Sequence, residues 1–169
     1  MDDDSALSPR FAHVFDIRIN FDRRWTTDPL PGGETRYGYT SVGQGSTIRG
    51  PRLNGTVVDY SGADWPAIRA DGVVELNAHY MLRADDGALI YIRNMGYVHR
   101  LPPEPWQAST AEAGSEPTTY FRCTPYFRAP AGPHEWLNHT VLVGIGKRVP
   151  KRTPEDPPDH SLFRYYAIL

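Results

Sequence analysis

Two neighbouring segments of alternating side chains, joined by a short turn, constrain the fold of this chain most. Residues 73–83 and 88–100 both alternate between apolar and polar residues, the period-two pattern of a strand. Between them lies Ala84-Asp85-Asp86-Gly87, which is typical of a tight turn that needs a glycine. The pattern predicts that residues 73–83 and 88–99 form an antiparallel hairpin.

The remaining chain follows the same plan. Its 16 prolines and 15 glycines fall mostly between the apolar segments, which disfavours long helices. About eight strands in so short a chain form a barrel or a two-sheet sandwich, because closure removes exposed strand edges. We therefore expect an all-β fold, an antiparallel closed barrel of eight to nine strands with long proline-rich loops and little helix. Further strands are predicted over 11–21, 37–48, 53–58, 118–127, 136–149 and 162–169, and loops over 22–36, 101–117 and 150–160.

Length and charge limit the domain organisation and the partners. The 169 residues predict a single domain over 1–169, with residues 1–10 as a flexible N-terminal segment. A net charge of −2 argues against nucleic acid and anionic membranes as partners, and no segment approaches the roughly 20 apolar residues of a membrane span. The single Cys123 and the acidic N-terminus, unlike a signal peptide, favour the cytoplasm. Barrels with aromatic outer faces often pair, so we also expect a homodimer.

Two carboxylic acids are candidates for catalysis. Asp64 precedes Trp65, and an acid held against an indole is desolvated, which raises its pKa and allows it to donate a proton near neutral pH. The alternative for Asp64 is a structural role, capping backbone N–H groups in a loop. Glu75 is the second candidate, on a predicted strand beside Asn77 and His79.

The aromatic residues suggest a flat, apolar ligand, although ordinary core packing explains most of them individually. The six histidines are scattered and none forms a short-spaced ligand pair, so no metal site is predicted. A nucleophile elbow, a phosphate loop and a dinucleotide fingerprint are also missing from the sequence. No cofactor is expected.

A series of motifs in a fixed order resembles domain-of-unknown-function family 3237, a group of short, UPF0311-like β-barrel proteins. The resemblance extends over roughly residues 11 to 169. The motifs are Gly50-Pro51-Arg52-Leu53-Asn54-Gly55, Gly62-Ala63-Asp64-Trp65, Arg69-Ala70-Asp71-Gly72-Val73, Asp85-Asp86-Gly87-Ala88-Leu89-Ile90-Tyr91, Arg93-Asn94-Met95-Gly96, Tyr120-Phe121-Arg122, Pro125-Tyr126-Phe127, Trp136-Leu137-Asn138 and Val143-Gly144-Ile145-Gly146.

The resemblance also implies a chemistry. Some fungal members of the family resemble cyclases of aromatic polyketide pathways, which add a phenol oxygen across the alkene of a prenyl-type substituent and close a dihydrofuran ring. A protonated carboxylic acid and aromatic faces suit that reaction, and it needs no cofactor. The catalytic candidates are then Asp64 and Glu75. The candidate substrate-binding residues are Tyr39, Trp65, Asn77, His79, Tyr80, Asn94, Arg122, Tyr126, Trp136 and Asn138.

The sequence departs from the expected family pattern at four positions, which suggests a pocket adapted to its own substrate. These are His79, Arg128, His134 and His139, where an arginine, an acid, a tyrosine and an arginine are expected.

Three functions remain open from the sequence. They are a cofactor-independent cyclase or isomerase of a small aromatic molecule, a small-molecule-binding barrel without chemistry, and a structural protein whose barrel is filled by its own side chains. A cavity of a few hundred cubic ångströms that contains Asp64 or Glu75 would separate the first function from the third.

Overall fold

The computed structural model describes residues 7–33, 35–100 and 119–169. These residues form one antiparallel sheet of eleven strands, together with a short 3-10 helix at Glu135–Asn138. The strands are β1 (Phe11–Thr26), β2 (Arg36–Val42), β3 (Thr47–Arg49), β4 (Gly55–Val57), β5 (Ala63–Asp64), β6 (Ala67–Ile68), β7 (Val74–Ala84), β8 (Leu89–His99), β9 (Tyr120–Arg128), β10 (Leu142–Val149) and β11 (His160–Ile168).

The strand pairings return on themselves, so the sheet closes. Hydrogen-bonded neighbours run β4-β3-β1-β11-β10-β9-β8-β7, and β4 pairs again with β7. At the other end of the long strands, β2 pairs with β1, and β5 and β6 connect β2 to β7. The predicted all-β, antiparallel barrel is confirmed, with eight strands in the closed ring of the described residues.

The hairpin that the sequence predicts is confirmed as well. Strands β7 and β8 pair over all but the last residue of each strand, from Val74 opposite Val98 to Arg83 opposite Leu89. At the turn the Gly87 N–H donates to the Ala84 carbonyl at 2.8 Å, and Gly87 has a φ of +89°. That conformation is costly for any residue with a Cβ atom, which explains the glycine.

The two ends of the barrel are packed differently. Around β3 and β4 the interior is filled by fully buried apolar side chains, including Phe15, Ile48, Leu82 and Ile90. Around β2, β5 and β6 the interior side chains leave a cavity. The chain thus has a solid core at one end and space for a ligand at the other.

Three sequence predictions of element bounds are wrong. Strand β1 continues to Thr26, into the segment expected to be a loop, because a register shift between Phe21 and Arg24 turns it onto β2. The expected strand 37–48 is interrupted after Val42 and resumes as β3. The expected strand 136–149 begins only at Leu142, because residues 135–138 form the 3-10 helix. The predicted loop 101–117 lies outside the described residues, as does most of the N-terminal segment.

Candidate functional site

The barrel encloses a cavity of about 300 Å³ at the end formed by β2, β5 and β6. Most of its wall is apolar, because strand alternation turns the hydrophobic face of each strand inward. The wall includes Ile19, Val42, Leu76, Val98, Phe121 and Phe163. A mainly apolar cavity of this size with a few polar groups is typical of a small-molecule site.

Asp64 supplies a carboxyl group to this cavity. It lies on the two-residue strand β5, opposite Thr40 of β2 and Ala78 of β7, and all three residues line the cavity. One carboxylate oxygen, Oδ1, accepts a hydrogen bond from the Asn77 N–H at 2.9 Å. Burial raises the pKa of Asp64 from 3.8 to about 6, against the opposing effects of the Asn77 hydrogen bond and the positive charge of Arg24. Near pH 6 a large fraction of Asp64 is therefore the neutral acid.

Two further polar residues, Tyr80 and Asn94, belong to the cavity wall. The Asn94 amide nitrogen donates to the Tyr165 hydroxyl at 3.0 Å, which fixes the amide. The Tyr80 hydroxyl and Asn94 Oδ1 are themselves fully buried, so neither atom is exposed to the cavity. Burial raises the pKa of Tyr80, against the opposing effect of its hydrogen-bonding neighbour Tyr165.

Two arginines line the part of the cavity that reaches the surface. Arg24 of β1 and Arg148 of β10 both line the cavity and remain partly exposed to solvent. The Asp159 carboxylate lies 2.9 Å from Arg24 Nη2 and accepts two hydrogen bonds from Arg148 Nη2, at 2.9 and 2.7 Å. Both guanidinium groups also lie over the Phe21 ring, at 5.0 and 5.4 Å from its centroid. Asp159 alone pairs with both cations, so this entrance has an excess of positive charge while Asp64 is neutral, below about pH 6.

Several predicted binding residues gather instead on the outer surface beside β5. Trp65 follows Asp64 in extended backbone and therefore points to the opposite side, where it is 44% exposed. The Trp65 ring packs edge-on against Tyr39 at 5.7 Å and against His79 at 6.2 Å. His79 Nδ1 lies 2.6 Å from the Tyr91 hydroxyl, and His79 Nε2 lies 3.1 Å from Asn77 Oδ1. This cluster is contiguous, but it is separated from the cavity by the sheet.

The second predicted acid also lies outside the cavity. Glu75 is on the outer face of β7, and its carboxylate accepts a hydrogen bond from Arg69 Nη1 at 3.3 Å. On β9 the alternation likewise turns Arg122 and Tyr126 outward, where both are exposed. None of these three residues lines the cavity.

The residues around the 3-10 helix have local structural contacts. The Arg52 guanidinium lies over the Trp136 ring at 5.1 Å. The Asn138 side chain accepts a hydrogen bond from the Ala129 N–H at 2.8 Å and donates one to the Ala129 carbonyl at 2.9 Å. These contacts hold the β9–β10 connection in place, far from Asp64 in the fold.

Comparison with known proteins places the chain in a family. The family model described as a protein of unknown function, DUF3237, matches residues 9–168. The chain belongs to the DUF3237 family. A UPF0311 protein of Clostridium acetobutylicum is 34% identical over 122 residues, which cover 72% of this chain and 71% of that protein.

Solved structures share the fold of this DUF3237 chain. A β-barrel-like protein of Acinetobacter baumannii superimposes with a TM-score of 0.76 at 24% identity, covering 96% of this chain and 97% of that one. A structure described as an enzyme from Penicillium herquei has a TM-score of 0.64 at 19% identity, with 95% of each chain covered.

Sequence reasoning about this DUF3237 protein identified only part of the cavity. Of the predicted site residues, the fold brings Asp64, Tyr80 and Asn94 to the cavity wall. Sequence reasoning missed Arg24 and Arg148. Period-two alternation from Phe21 would turn Arg24 outward, and the register shift between Phe21 and Arg24 brings it to the cavity instead. None of the four departures from the family pattern, at residues 79, 128, 134 and 139, lines the cavity.

In the described part of the DUF3237 chain, no three His, Cys, Asp or Glu side chains come together in a group suited to a metal ion. No helix among those residues is both long enough and apolar enough to span a bilayer.

Proposed function

We propose that this protein is a cofactor-independent cyclase of a small aromatic natural-product intermediate. The proposed reaction is an acid-catalysed intramolecular hydroalkoxylation, in which a phenol adds across an alkene and forms a dihydrofuran ring. The observation that carries this proposal is the Asp64 carboxyl, which lies in a mainly apolar cavity with its pKa raised to about 6. A carboxylic acid kept partly neutral near physiological pH is a competent general acid.

The chemistry is balanced without any other reactant. The neutral Asp64 carboxyl transfers its proton to the less substituted alkene carbon, leaving a cation on the other carbon. The phenol oxygen attacks that carbon to form the C–O bond, and the phenol proton returns to the Asp64 carboxylate. Substrate and product are isomers, so no oxidant, reductant or metal is consumed. The apolar wall favours this sequence, because excluding water limits capture of the cation by hydroxide or water.

The aromatic part of the wall suits such a substrate. Phe21, Phe121 and Phe163 line the cavity that contains Asp64, and aromatic faces stabilise a developing cation. Further support comes from the fold, because one protein that shares it is described as an enzyme from Penicillium herquei.

The proposal is tested by Asp64→Asn, which keeps the size of the side chain and removes the proton. A prenylated phenolic polyketide is the substrate, and chromatography detects the cyclised isomer. We expect the variant to lose roughly a hundredfold or more in rate while binding is largely retained, the range usual for a general acid. The matched control is Glu75→Gln on the outer face, which should leave the rate unchanged.

Two outcomes would contradict this assignment. Cyclisation by Asp64→Asn at the wild-type rate would remove Asp64 as proton donor. Tight binding of prenylated phenols without turnover by the wild-type protein would instead favour a binding barrel without chemistry.

The rate of the wild-type enzyme should also depend on pH. Because the neutral acid is the active form and its pKa is about 6, the rate should fall as pH rises above about 6. A pH profile of kcat/KM from pH 5 to pH 8 measures this directly. A rate that rises over the same range would indicate that Asp64 acts as a base.

A further inference from the structure

We infer that the cavity ligand carries an anionic oxygen group, a carboxylate or an ionised phenol, which binds at Arg24 and Arg148. This inference deepens the proposed function, and rests on it, by naming the chemical class of the ligand. It adds a binding role for two residues outside the proton-transfer step.

The balance of charge at the cavity entrance favours an anion. Arg24 and Arg148 share a single surface carboxylate, Asp159, so the group keeps an excess positive charge while Asp64 is neutral. Asp64 is largely uncharged below about pH 6 and adds a second negative charge above it, so the excess is greatest below pH 6. A cavity with this charge favours a negatively charged ligand over a neutral one of the same shape.

Arg24 and Arg148 also have unused hydrogen-bond donors. Both arginines reach Asp159 through Nη2, and in the described part of the chain no acceptor is found for the Nε and Nη1 groups of either residue. Their position over the Phe21 ring holds both guanidinium groups beside the apolar wall, where water screens them less. Guanidinium groups with free donors bind carboxylate and phenolate oxygens through strong, charge-assisted hydrogen bonds.

The rest of the cavity suits the body of such a molecule. Beyond the arginines the wall is mainly apolar and includes the Phe121 and Phe163 side chains. An aromatic acid would place its ring against this wall and its anionic oxygen at the arginines.

The test compares aromatic probes of different charge by calorimetric titration at pH 7, with 2-naphthoate and 2-naphthamide as the pair matched in shape. The probes are 2-naphthoate, ionised 4-nitro-1-naphthol and neutral 2-naphthamide. We expect at least one anion to bind about tenfold more tightly than the amide, and its identity distinguishes a carboxylate ligand from a phenolate. Equal affinity for all three probes would overturn the inference.

Matched variants locate the effect. Arg24→Gln and Arg148→Gln should each abolish most of the preference for the anion, whereas Arg93→Gln on the outer face should retain it. Each preference is the ratio of the affinities for the anion and the amide, measured on the same variant. A general loss of stability therefore does not change it. Asp159→Asn provides an independent check, because removing the competing carboxylate should strengthen anion binding. Weaker anion binding by Asp159→Asn would contradict the inference.

The failure of this inference and that of the proposed function are distinguishable. Asp64→Asn should keep or strengthen the preference for the anion at pH 7, because it removes a negative charge near Arg24 and leaves both arginines in place. If the preference is found but Asp64→Asn cyclises substrate normally, the proposed reaction is wrong and the anion site stands. If no preference is found and Asp64→Asn is inactive, the reaction stands and the anion site is wrong.

Discussion

At the scale of single residues, the buried Asp64 carboxyl couples folding to pH. Its pKa is about 6 in the folded protein, compared with 3.8 for an unperturbed aspartate. Between these pH values the folded state therefore binds more protons than the unfolded state. The contribution of Asp64 to the free energy of unfolding is therefore greatest below about pH 4, and it decreases as pH rises through about 6. The difference in pKa corresponds to about 3 kcal/mol, as an order of magnitude.

This coupling predicts how Asp64→Asn changes stability. The variant should gain stability relative to the wild type as pH rises from 4 to 7, by about 3 kcal/mol at most, because asparagine cannot ionise. Urea denaturation of both proteins at several pH values measures the difference. Asp71→Asn is a control of opposite sign, since a hydrogen bond from the Val73 N–H lowers the pKa of Asp71. A stability difference for Asp64→Asn that is constant from pH 4 to pH 7 would contradict the raised pKa.

The raised pKa of Asp64 has a different origin from the one expected from the sequence. The sequence suggested burial against the neighbouring Trp65 indole, but extended backbone sends adjacent side chains to opposite faces of a strand. Trp65 is 44% exposed on the outside, whereas Asp64 lines the cavity. Apolar side chains of other strands desolvate Asp64, and the sequence around Asp64 does not show which strands pack against it. The role of Asp64 stays a prediction, whereas the expected burial against Trp65 is not what the structure shows.

At the scale of elements, the short strand β5 positions Asp64, and Gly62 allows β5 to approach β7. A Cβ atom on Gly62 would lie 1.8 Å from the His79 carbonyl oxygen, which no side chain tolerates. The Gly62 carbonyl also accepts the Val42 N–H at 2.9 Å, which ties this segment to β2. Gly62 thus helps to hold Asp64 at the cavity wall, between β2 and β7.

We therefore expect Gly62→Ala to impair both stability and activity. Forcing β5 away from β7 should cost about 1–3 kcal/mol, as overpacking does, and should displace Asp64 from the Asn77 N–H. Thermal denaturation and the cyclisation rate provide the two measurements. Gly87→Ala is the matched control, because its Cβ meets no atom within 4 Å and only its positive φ is costly, by about 1 kcal/mol. If Gly87→Ala reduces activity as much as Gly62→Ala does, positioning by β5 is not the cause.

The strands that the sequence predicted best are those with regular alternation over many residues. The hairpin of β7 and β8 matches within one residue at each end, because its alternation and its glycine turn agree. The two-residue strands β5 and β6 escaped prediction, since two residues carry no period and tertiary pairing alone makes them strands. Residues 136–138 looked like the start of a strand, but the Asn138 amide binds the Ala129 backbone and fixes a helical turn.

At the scale of the whole molecule, one outer face of the barrel is a candidate for self-association. We define the aromatic row as Trp25, Tyr39 and Trp65, which lie in sequence across β1, β2 and the end of β5. Trp25 stacks on Tyr39 at 5.1 Å, and Tyr39 contacts Trp65 edge-on. Trp25 is 60% exposed and Trp65 44%. Contiguous exposed aromatic surface on a protein of this size commonly marks an interaction site.

We propose that the protein forms a homodimer through this aromatic row. Light scattering of the wild type at micromolar concentration should then give twice the chain mass of 19.0 kDa. Trp65→Ser should shift the mass toward one chain, because it removes a large exposed apolar side chain from the proposed interface, and aromatic residues often carry much of the binding energy. Ile145→Ser serves as the control, since Ile145 is also exposed but lies on β10, across the ring of strands. A wild-type mass of one chain would contradict the dimer, and dissociation by Ile145→Ser alone would move the interface to the opposite face.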